Sequence, residues 1–109
     1  MESYKACMLL DFYGNLLTPK MRHTLELYYF NDLSLAEIAD SESISRQGVY
    51  DTVKRAIRTL EEYEDKLKLI DRFEKQKDDI ALAISKIDNG QILEARDILS
   101  KIDAELESE

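Results

Sequence analysis

Apolar residues recur at helical spacing along most of the chain, and the pattern is clearest over residues 34–60. Ser34 and Glu37 have the spacing of a capping box, which predicts the start of a short helix. The predicted buried face of this helix is Leu35, Ile38 and Ala39. Four residues, 41–44, then remain for a turn before the next periodic segment.

Ser45 is the predicted N-cap of a longer second helix. Its predicted buried stripe is Val49, Val53, Ile57 and Leu60. The opposite face carries polar and cationic side chains, namely Arg46, Gln47, Tyr50, Asp51, Lys54, Arg55 and Arg58. A short helix, a tight turn and a longer helix with polar side chains at its start are typical of a helix-turn-helix, whose second helix enters a DNA major groove.

Two further helices are predicted before this pair. Residues 4–17 have helical spacing, with Gly14 inside the pattern, and form a predicted packing helix. Thr18-Pro19 is a helix start signal, because Thr caps well and Pro is tolerated at the first helical position. The helix that begins there is predicted to reach Phe30 and to brace the helix-turn-helix from behind as the first helix of a three-helix unit. Its aromatic residues, Tyr28, Tyr29 and Phe30, fill the core or form a partner-binding patch, and the core is favoured two to one.

After Leu60 the pattern allows two arrangements: one long helix from Arg46, or a bend within residues 68–71 into a second helix. One face of that second helix would carry Phe73, Ile80, Ile84 and Ile87, a spacing also found in coiled coils, although Lys77 interrupts it. Asn89-Gly90 predicts a helix stop and a turn. The last helix then shows Ile92, Ala95, Ile98 or Leu99, Ile102 and Leu106.

A short connection between two apolar stripes predicts an antiparallel helical hairpin. We therefore expect a helix-turn-helix domain over residues 1–67 and a hairpin extension over residues 68–109. The hairpin folds back onto the first domain or meets a second copy, and a homodimer is favoured because two hairpins together bury both apolar faces.

Composition agrees with an all-α protein and argues against several functions. Of the 109 residues, 44% are apolar and 35% charged, Gly and Pro together number four, and no apolar run is long enough to cross a bilayer. The start of the chain lacks the pattern of a signal peptide, so we expect a cytoplasmic protein without membrane insertion. A lone Cys7, expected to be a buried structural thiol, and a lone His23 give no nucleophile, metal or cofactor site. We expect no enzymatic activity.

The net charge of −8 is unusual for a protein that binds nucleic acid. Residues 44–60, however, hold four cations (Arg46, Lys54, Arg55 and Arg58) against Asp51, a local charge of +3. The remainder therefore carries −11. A weakly positive face on an acidic body can still meet phosphate, but long-range electrostatic steering opposes the encounter.

The strings LSLAEIA and ISRQGVYDTVKRAIRTL, four residues apart, resemble the helix-turn-helix of region 4 of bacterial sigma factors. They are more similar to the YlxM-like family, in which SLAEIA and SRQ-x-VYD-x-(I/V)KR strings follow a turn of the type Leu16-Leu17-Thr18. The resemblance covers roughly residues 12–67. It implies an all-helical bacterial protein whose gene lies beside those of the signal recognition particle GTPase and its receptor, and which regulates that pathway.

The DNA-binding interpretation assigns a role to each outer side chain of the second helix. Arg46 and Gln47 would reach base edges, and Tyr50 would contact phosphate or a thymine methyl group. The remaining candidates would hold phosphates, and these are Ser45, Lys54, Arg55 and Arg58.

The sequence departs from the sigma-factor pattern at four places. These are Ser43 in place of a turn Gly, Gly48 and Tyr50 where cations are common, and Asp51 in place of a polar base-contacting residue. Asp51 would face a phosphate or a base acceptor unfavourably, unless it pairs with Arg55 four residues later. The departures keep a second interpretation open, in which the helix-turn-helix is the scaffold of an adaptor that binds the RNA or the GTPase of the signal recognition particle.

Overall fold

Every regular element in residues 3–108, which are the residues that the structure describes, is helical in this computed structural model. The α-helices of that range are α1 (Ser3–Tyr13), α2 (Pro19–Leu25), α3 (Leu35–Glu42), α4 (Arg46–Leu67), α5 (Leu69–Asp88) and α6 (Ile92–Glu107). A 3-10 turn, Gly14–Leu16, follows α1, and a π-helical turn, Glu26–Phe30, follows α2. The all-α class predicted from the sequence is confirmed.

The first helix ends earlier than its apolar pattern predicts. α1 stops at Tyr13, and Gly14 begins a 3-10 turn that is closed by a 3.1 Å hydrogen bond from the Leu17 amide to the Gly14 carbonyl. Gly14 is buried, and a Cβ there would lie 3.1 Å from Cδ1 of Leu10. The predicted continuation of the α-helix to Leu17 is wrong, because the backbone changes from α-helical to 3-10 geometry at Gly14.

The start of α2 is as predicted, whereas its end is not. The Thr18 hydroxyl accepts a 3.2 Å hydrogen bond from the Met21 amide, and Pro19 occupies the first helical position. After Leu25 the backbone widens into the π-helical turn, in which the Asn31 amide donates to the carbonyl of Glu26, five residues earlier. The predicted α-helix to Phe30 therefore becomes a π-helical turn over its last five residues.

The turn of the helix-turn-helix is two residues long. The capping box is present, with the Glu37 amide 3.1 Å from the Ser34 hydroxyl and the Ser34 amide 3.0 Å from the Glu37 carboxylate. α3 continues through Glu42, so the predicted four-residue turn is too long by two. Ser43 ends the helix in the left-handed conformation, with φ 58° and ψ 40°.

α4 is the central helix of the first unit and contacts α1, α2 and α3. All four residues of its predicted stripe are buried, as are Ile38 and Ala39 of α3. The core side chains with no exposed surface are Ala6, Leu25, Ile38, Val49, Ala56 and Leu60. Burial of this apolar face holds α4 so that its opposite face points to solvent.

The long periodic segment after Leu60 is two helices. α4 ends where Lys68 adopts φ 58°. The Tyr13 hydroxyl donates to the Glu64 carboxylate and accepts a 3.1 Å hydrogen bond from the Leu69 amide. The same carboxylate oxygen accepts a 3.0 Å bond from the Ile70 amide, so two orphan amides at the start of α5 are satisfied by α1 and α4.

The chain divides into two compact units, residues 1–70 and 71–109. Within the second unit, Lys86 pairs with Glu94 at 2.9 Å and Lys75 with Glu105 at 3.0 Å, which is the order of an antiparallel hairpin. Gly90, with φ 76°, makes the turn between the two helices. None of the helices that the structure describes is both long and apolar enough to span a membrane.

One apolar face of this hairpin stays exposed. On α5 it is formed by three residues of the predicted stripe, Ile80, Ile84 and Ile87, and on α6 by Ile92, Leu99 and Leu106. Ile87, Ile92 and Leu99 line one shallow groove, which places both stripes on the same side of the hairpin. We call this surface the hairpin face.

Candidate nucleic-acid interface

The outer face of α4 is the candidate site predicted from the sequence. Ser45 caps α4, and its hydroxyl accepts a 2.9 Å hydrogen bond from the Gly48 amide. The predicted contact residues that follow it are all exposed, and they are Arg46, Gln47, Tyr50, Lys54, Arg55 and Arg58. We call the four cations of this set, Arg46, Lys54, Arg55 and Arg58, the cationic ridge.

Gly48 takes part in the cap of α4. The Gly48 amide donates a hydrogen bond to the Ser45 hydroxyl oxygen. A Cβ on residue 48 would lie 3.2 Å from that oxygen. A glycine therefore lets the cap close without displacing the hydroxyl. This contact gives a local reason for a residue that otherwise weakens a helix by about 1 kcal/mol relative to Ala.

Asp51 contacts Gln47. The Gln47 side-chain nitrogen donates to the Asp51 carboxylate over 2.9 Å. Within the part of the chain that the structure describes, no ion pair joins Asp51 to Arg55, and the Arg55 side chain is exposed to solvent. The pairing that would offset the unfavourable position of Asp51 is therefore not formed, and its carboxylate is held by Gln47 instead.

The contact with Asp51 uses only part of the hydrogen-bonding capacity of Gln47. A side-chain amide carries two N–H donors and one oxygen acceptor, and Asp51 accepts from a single donor. One N–H and the side-chain oxygen of Gln47 lie outside this contact.

Tyr50 and Lys54 form a second pair on the same face. The Lys54 ammonium lies 5.2 Å from the centroid of the Tyr50 ring, the geometry of a cation–π contact. The Tyr50 side chain is nevertheless 42% exposed. The pair orders two of the candidate contact residues before any ligand is bound.

His23 makes a contact between α2 and α3. Its Nε2 lies 3.2 Å from the carboxylate of Glu42 at the end of α3, and both side chains keep access to solvent. No group of three or more potential metal ligands occurs in residues 3–108.

A cleft lies beside the cationic ridge, between α1, the π-helical turn and α4. Its volume is about 550 Å³, and its lining is Lys5, Tyr29, Val53, Lys54, Ile57, Arg58 and Glu61. Val53 and Ile57 are buried and form an apolar floor, whereas the charged residues are exposed. Two members of the ridge, Lys54 and Arg58, thus also line the cleft.

The inner wall of the cleft is aromatic. Tyr29 is partly buried and meets Tyr28 edge to face, with ring centroids 4.9 Å apart. Burial raises the pKa of the Tyr29 hydroxyl, so the side chain stays neutral at physiological pH. Cys7 is also only partly buried, and its Sγ lies 3.9 Å from the Tyr29 carbonyl oxygen, so the expectation of a fully buried thiol is wrong.

Five residues that line the cleft lie outside the site predicted from the sequence. Val53 and Ile57 were assigned to the buried stripe of α4, and the other three are Lys5, Tyr29 and Glu61. Lys5, Tyr29 and Glu61 come from three separate segments, and their proximity depends on how α1 packs against α4. Helical periodicity carries no signal for this convergence. The aromatic cluster of residues 28–30 was the one local hint. Tyr28 and Tyr29 pack against the core as the favoured interpretation predicted, whereas Phe30 is 45% exposed, so that prediction is wrong for Phe30.

Comparison with known proteins identifies the family. Residues 1–102 match the model of the family UPF0122, described as "Putative helix-turn-helix protein, YlxM / p13 like". A UPF0122 protein of Acetivibrio thermocellus is 44% identical over 108 residues, covering 95% of this chain and 92% of the relative.

Two further relatives agree. A UPF0122 protein of Desulforamulus reducens is 42% identical over 100 residues, covering 92% of this chain and 86% of the relative. One from Shouchella clausii is 47% identical over 87 residues, covering 80% of each chain. The resemblance inferred from the SLAEIA and SRQ strings is confirmed: the chain belongs to the UPF0122 family of YlxM/p13-like helix-turn-helix proteins.

Proposed function

We propose that this protein is a regulator that binds nucleic acid, with DNA as the first candidate, through the outer face of α4. The observation that carries the proposal is the cationic ridge, four exposed cations on the second helix of a helix-turn-helix in a chain of net charge −8. Cations concentrated on one face of an acidic protein serve a local anionic ligand better than they serve solubility. The helix-turn-helix fold of the family supports this choice of ligand.

The side chains divide into base-reading and phosphate-binding groups. Arg46 and Gln47 lie in the first turn of α4, the part of a recognition helix that reaches deepest into the major groove. Tyr50 follows one turn later and contacts phosphate or a thymine methyl group. The phosphate contacts come from Ser45, Lys54, Arg55 and Arg58.

The test measures binding to labelled duplex DNA by fluorescence anisotropy at a series of salt concentrations. We compare the wild type with a triple variant, Arg46→Ala, Lys54→Ala and Arg55→Ala. Each phosphate contact contributes about −0.9 to the slope of log affinity against log salt. The triple variant removes the base contact of Arg46 and two phosphate contacts, so it loses most of its affinity and its slope becomes shallower by about two.

A matched control removes three exposed cations outside the ridge, through Lys20→Ala, Lys66→Ala and Lys101→Ala. The control has the same net charge as the triple variant. We expect its slope of log affinity against log salt to equal that of the wild type. Equal losses in the two variants, or unchanged binding in the first, would remove the ridge as the binding surface.

We also propose a more specific role, in the signal recognition particle pathway of the bacterial cytoplasm. Its basis is the family resemblance together with Gly48, Tyr50 and Asp51, which depart from the sigma-factor pattern of DNA contact. In this alternative the ridge binds the particle's RNA, or the helix-turn-helix is a scaffold for its GTPase. Signal recognition particle RNA is therefore titrated beside the DNA duplex, and the ligand whose affinity is higher at equal salt is the partner.

The protein acts as a homodimer in this proposal. The hairpin face exposes apolar side chains from two neighbouring helices, an amount that is uncommon on a monomer surface. A second copy offers the same face, and the antiparallel pairing of two hairpins covers both. Residues 68–109 are accordingly the proposed dimerisation segment, and residues 1–67 the binding domain.

A further inference from the structure

The cleft beside the ridge has cations, an aromatic and apolar surface, and the volume that binding of a nucleotide requires. Lys5, Lys54 and Arg58 supply cations for a phosphate. Tyr29 and the apolar floor supply surface for a base, since base stacking on aromatic side chains is a general mode of single-strand recognition. Its volume of about 550 Å³ lies in the range of small-ligand pockets.

The charges along α4 give the cleft a direction. Lys54 and Glu61 are seven residues apart, which is about 10 Å along a helix axis. A phosphate is attracted to the Lys54 end and repelled from the carboxylate of Glu61. That carboxylate instead accepts hydrogen bonds from an N–H of a base or an O–H of a sugar. The charges therefore favour a nucleotide whose phosphate lies toward Lys54.

We infer that the cleft holds one unpaired nucleotide of the nucleic acid that lies along the cationic ridge. The inference rests on the proposed function and depends on the continuity of the two surfaces, because Lys54 and Arg58 belong to both. A strand whose phosphates follow the ridge passes the mouth of the cleft. A bulged or flipped base at that point enters it, whereas a base within an intact duplex does not.

The ligand is therefore a nucleic acid with an unpaired nucleotide beside a helical segment. A regular duplex binds through the ridge alone and gains nothing from Lys5 or Tyr29. Recognition of bulges and loops in this way is common for RNA, where an unstacked base is accessible.

The test compares a perfect duplex with the same duplex carrying a single bulged nucleotide, by anisotropy at fixed salt, with the bulge moved along the duplex in separate ligands. At the best position we expect the bulged ligand to bind about tenfold more tightly than the perfect duplex. Lys5→Ala removes that preference and changes the affinity for the perfect duplex less than about twofold. The control Lys66→Ala, an exposed cation outside the cleft, keeps the preference.

The outcomes separate this inference from the proposed function. If the perfect duplex binds through the ridge and no bulge position improves its affinity, the cleft inference is wrong and the proposed function stands. If neither ligand binds, both are wrong. A loss of affinity for both ligands on Lys5→Ala would make Lys5 one more phosphate contact and would overturn the inference.

Two further measurements identify the occupant. Photo-crosslinking from 5-iodouridine at the bulged position is expected to map to Tyr29 by mass spectrometry, and crosslinks to the outer face of α4 alone would contradict the inference. Free nucleoside monophosphate is expected to leave the bulged complex intact at micromolar concentration, because most of the affinity comes from the ridge. Displacement at that concentration would make the cleft a site for free nucleotides instead.

Discussion

At the scale of single residues, Ser43 has a left-handed backbone conformation, which costs an L-amino acid free energy. Its φ of 58° places it in the left-handed region at the C-terminal end of α3. Contact between Cβ and the neighbouring carbonyl costs about 1–2 kcal/mol there, and glycine avoids that cost. The helix-turn-helix of this chain is therefore built with a strained residue at its turn.

We expect Ser43→Gly to raise the free energy of unfolding. Relief of the left-handed strain exceeds the loss from a more flexible unfolded chain, and the net gain is about 0.5–1 kcal/mol. Urea unfolding monitored by circular dichroism measures this change in the free energy of unfolding.

The control for this prediction is Ser41→Gly, two residues earlier inside α3. Ser41 is also exposed and is helical, so glycine there lowers stability by about 0.5 kcal/mol. Destabilisation of similar size in both variants would show that the left-handed conformation of Ser43 carries no strain.

At the scale of elements, the capping box makes the start of α3 sensitive to acid. The backbone amide of Ser34, and then its hydroxyl, hold the pKa of Glu37 below its ordinary value of 4.5. A carboxyl group whose pKa is lowered by folding stabilises the native state above its ordinary pKa, and that contribution disappears as the pH falls through the lowered value.

We expect the wild type to lose more stability between about pH 6 and about pH 3 than Glu37→Gln does, because glutamine keeps the hydrogen bond and does not titrate. Urea unfolding at the two pH values measures the difference. Glu62→Gln removes an exposed carboxylate of α4 instead and should follow the wild type. Parallel losses in the wild type and Glu37→Gln would show that the capping box adds no acid sensitivity.

The junction of α4 and α5 depends on the hydroxyl of Tyr13. The residue is 1% exposed, and its hydroxyl joins the Glu64 carboxylate to the Leu69 amide. Tyr13→Phe keeps the ring but leaves both groups with one partner fewer. We expect a loss of about 1–2 kcal/mol in the free energy of unfolding and faster hydrogen exchange at the Leu69 amide.

Tyr63 offers the matched control for this substitution. Its ring stacks on Tyr13 with centroids 6.1 Å apart, and its hydroxyl makes none of the hydrogen bonds found in residues 3–108. Tyr63→Phe should therefore be close to neutral. If the two substitutions have the same effect, the hydroxyl of Tyr13 does not hold the junction.

At the scale of the whole molecule, the exposed hairpin face predicts self-association. Ile84 lies on this face and its side chain is 54% exposed, so Ile84→Glu places a charge at the proposed dimer contact without disturbing a core. We expect sedimentation velocity to show a dimer for the wild type and a monomer for this variant.

Leu82→Glu is the control, because two residues along a helix turn the side chain to the opposite side. Leu82 is 48% exposed, so the substitution adds the same charge to a similarly exposed leucine off the hairpin face. A wild-type monomer, or equal effects of the two variants, would rule out the hairpin face as the dimer contact.

The sequence by itself determined the helices of this protein and most of their starts. The caps at Thr18, Ser34 and Ser45 are all present, and the buried stripe of α4 is correct at every position. These features are local: a cap and a stripe depend on residues within one or two turns of each other, so their spacing in the sequence is their spacing in space.

Only the tertiary structure decided how distant segments meet. The shortened turn, the contact of Gln47 with Asp51, the Tyr13 hydroxyl at the start of α5 and the cleft between α1 and α4 were not predicted. Each depends on a side-chain rotamer, a single backbone dihedral angle or the packing of helices far apart in the chain. Periodicity in the sequence predicts which face of a helix is buried. It does not predict which side chains of a neighbouring helix pack against that face, and these contacts depend on that packing.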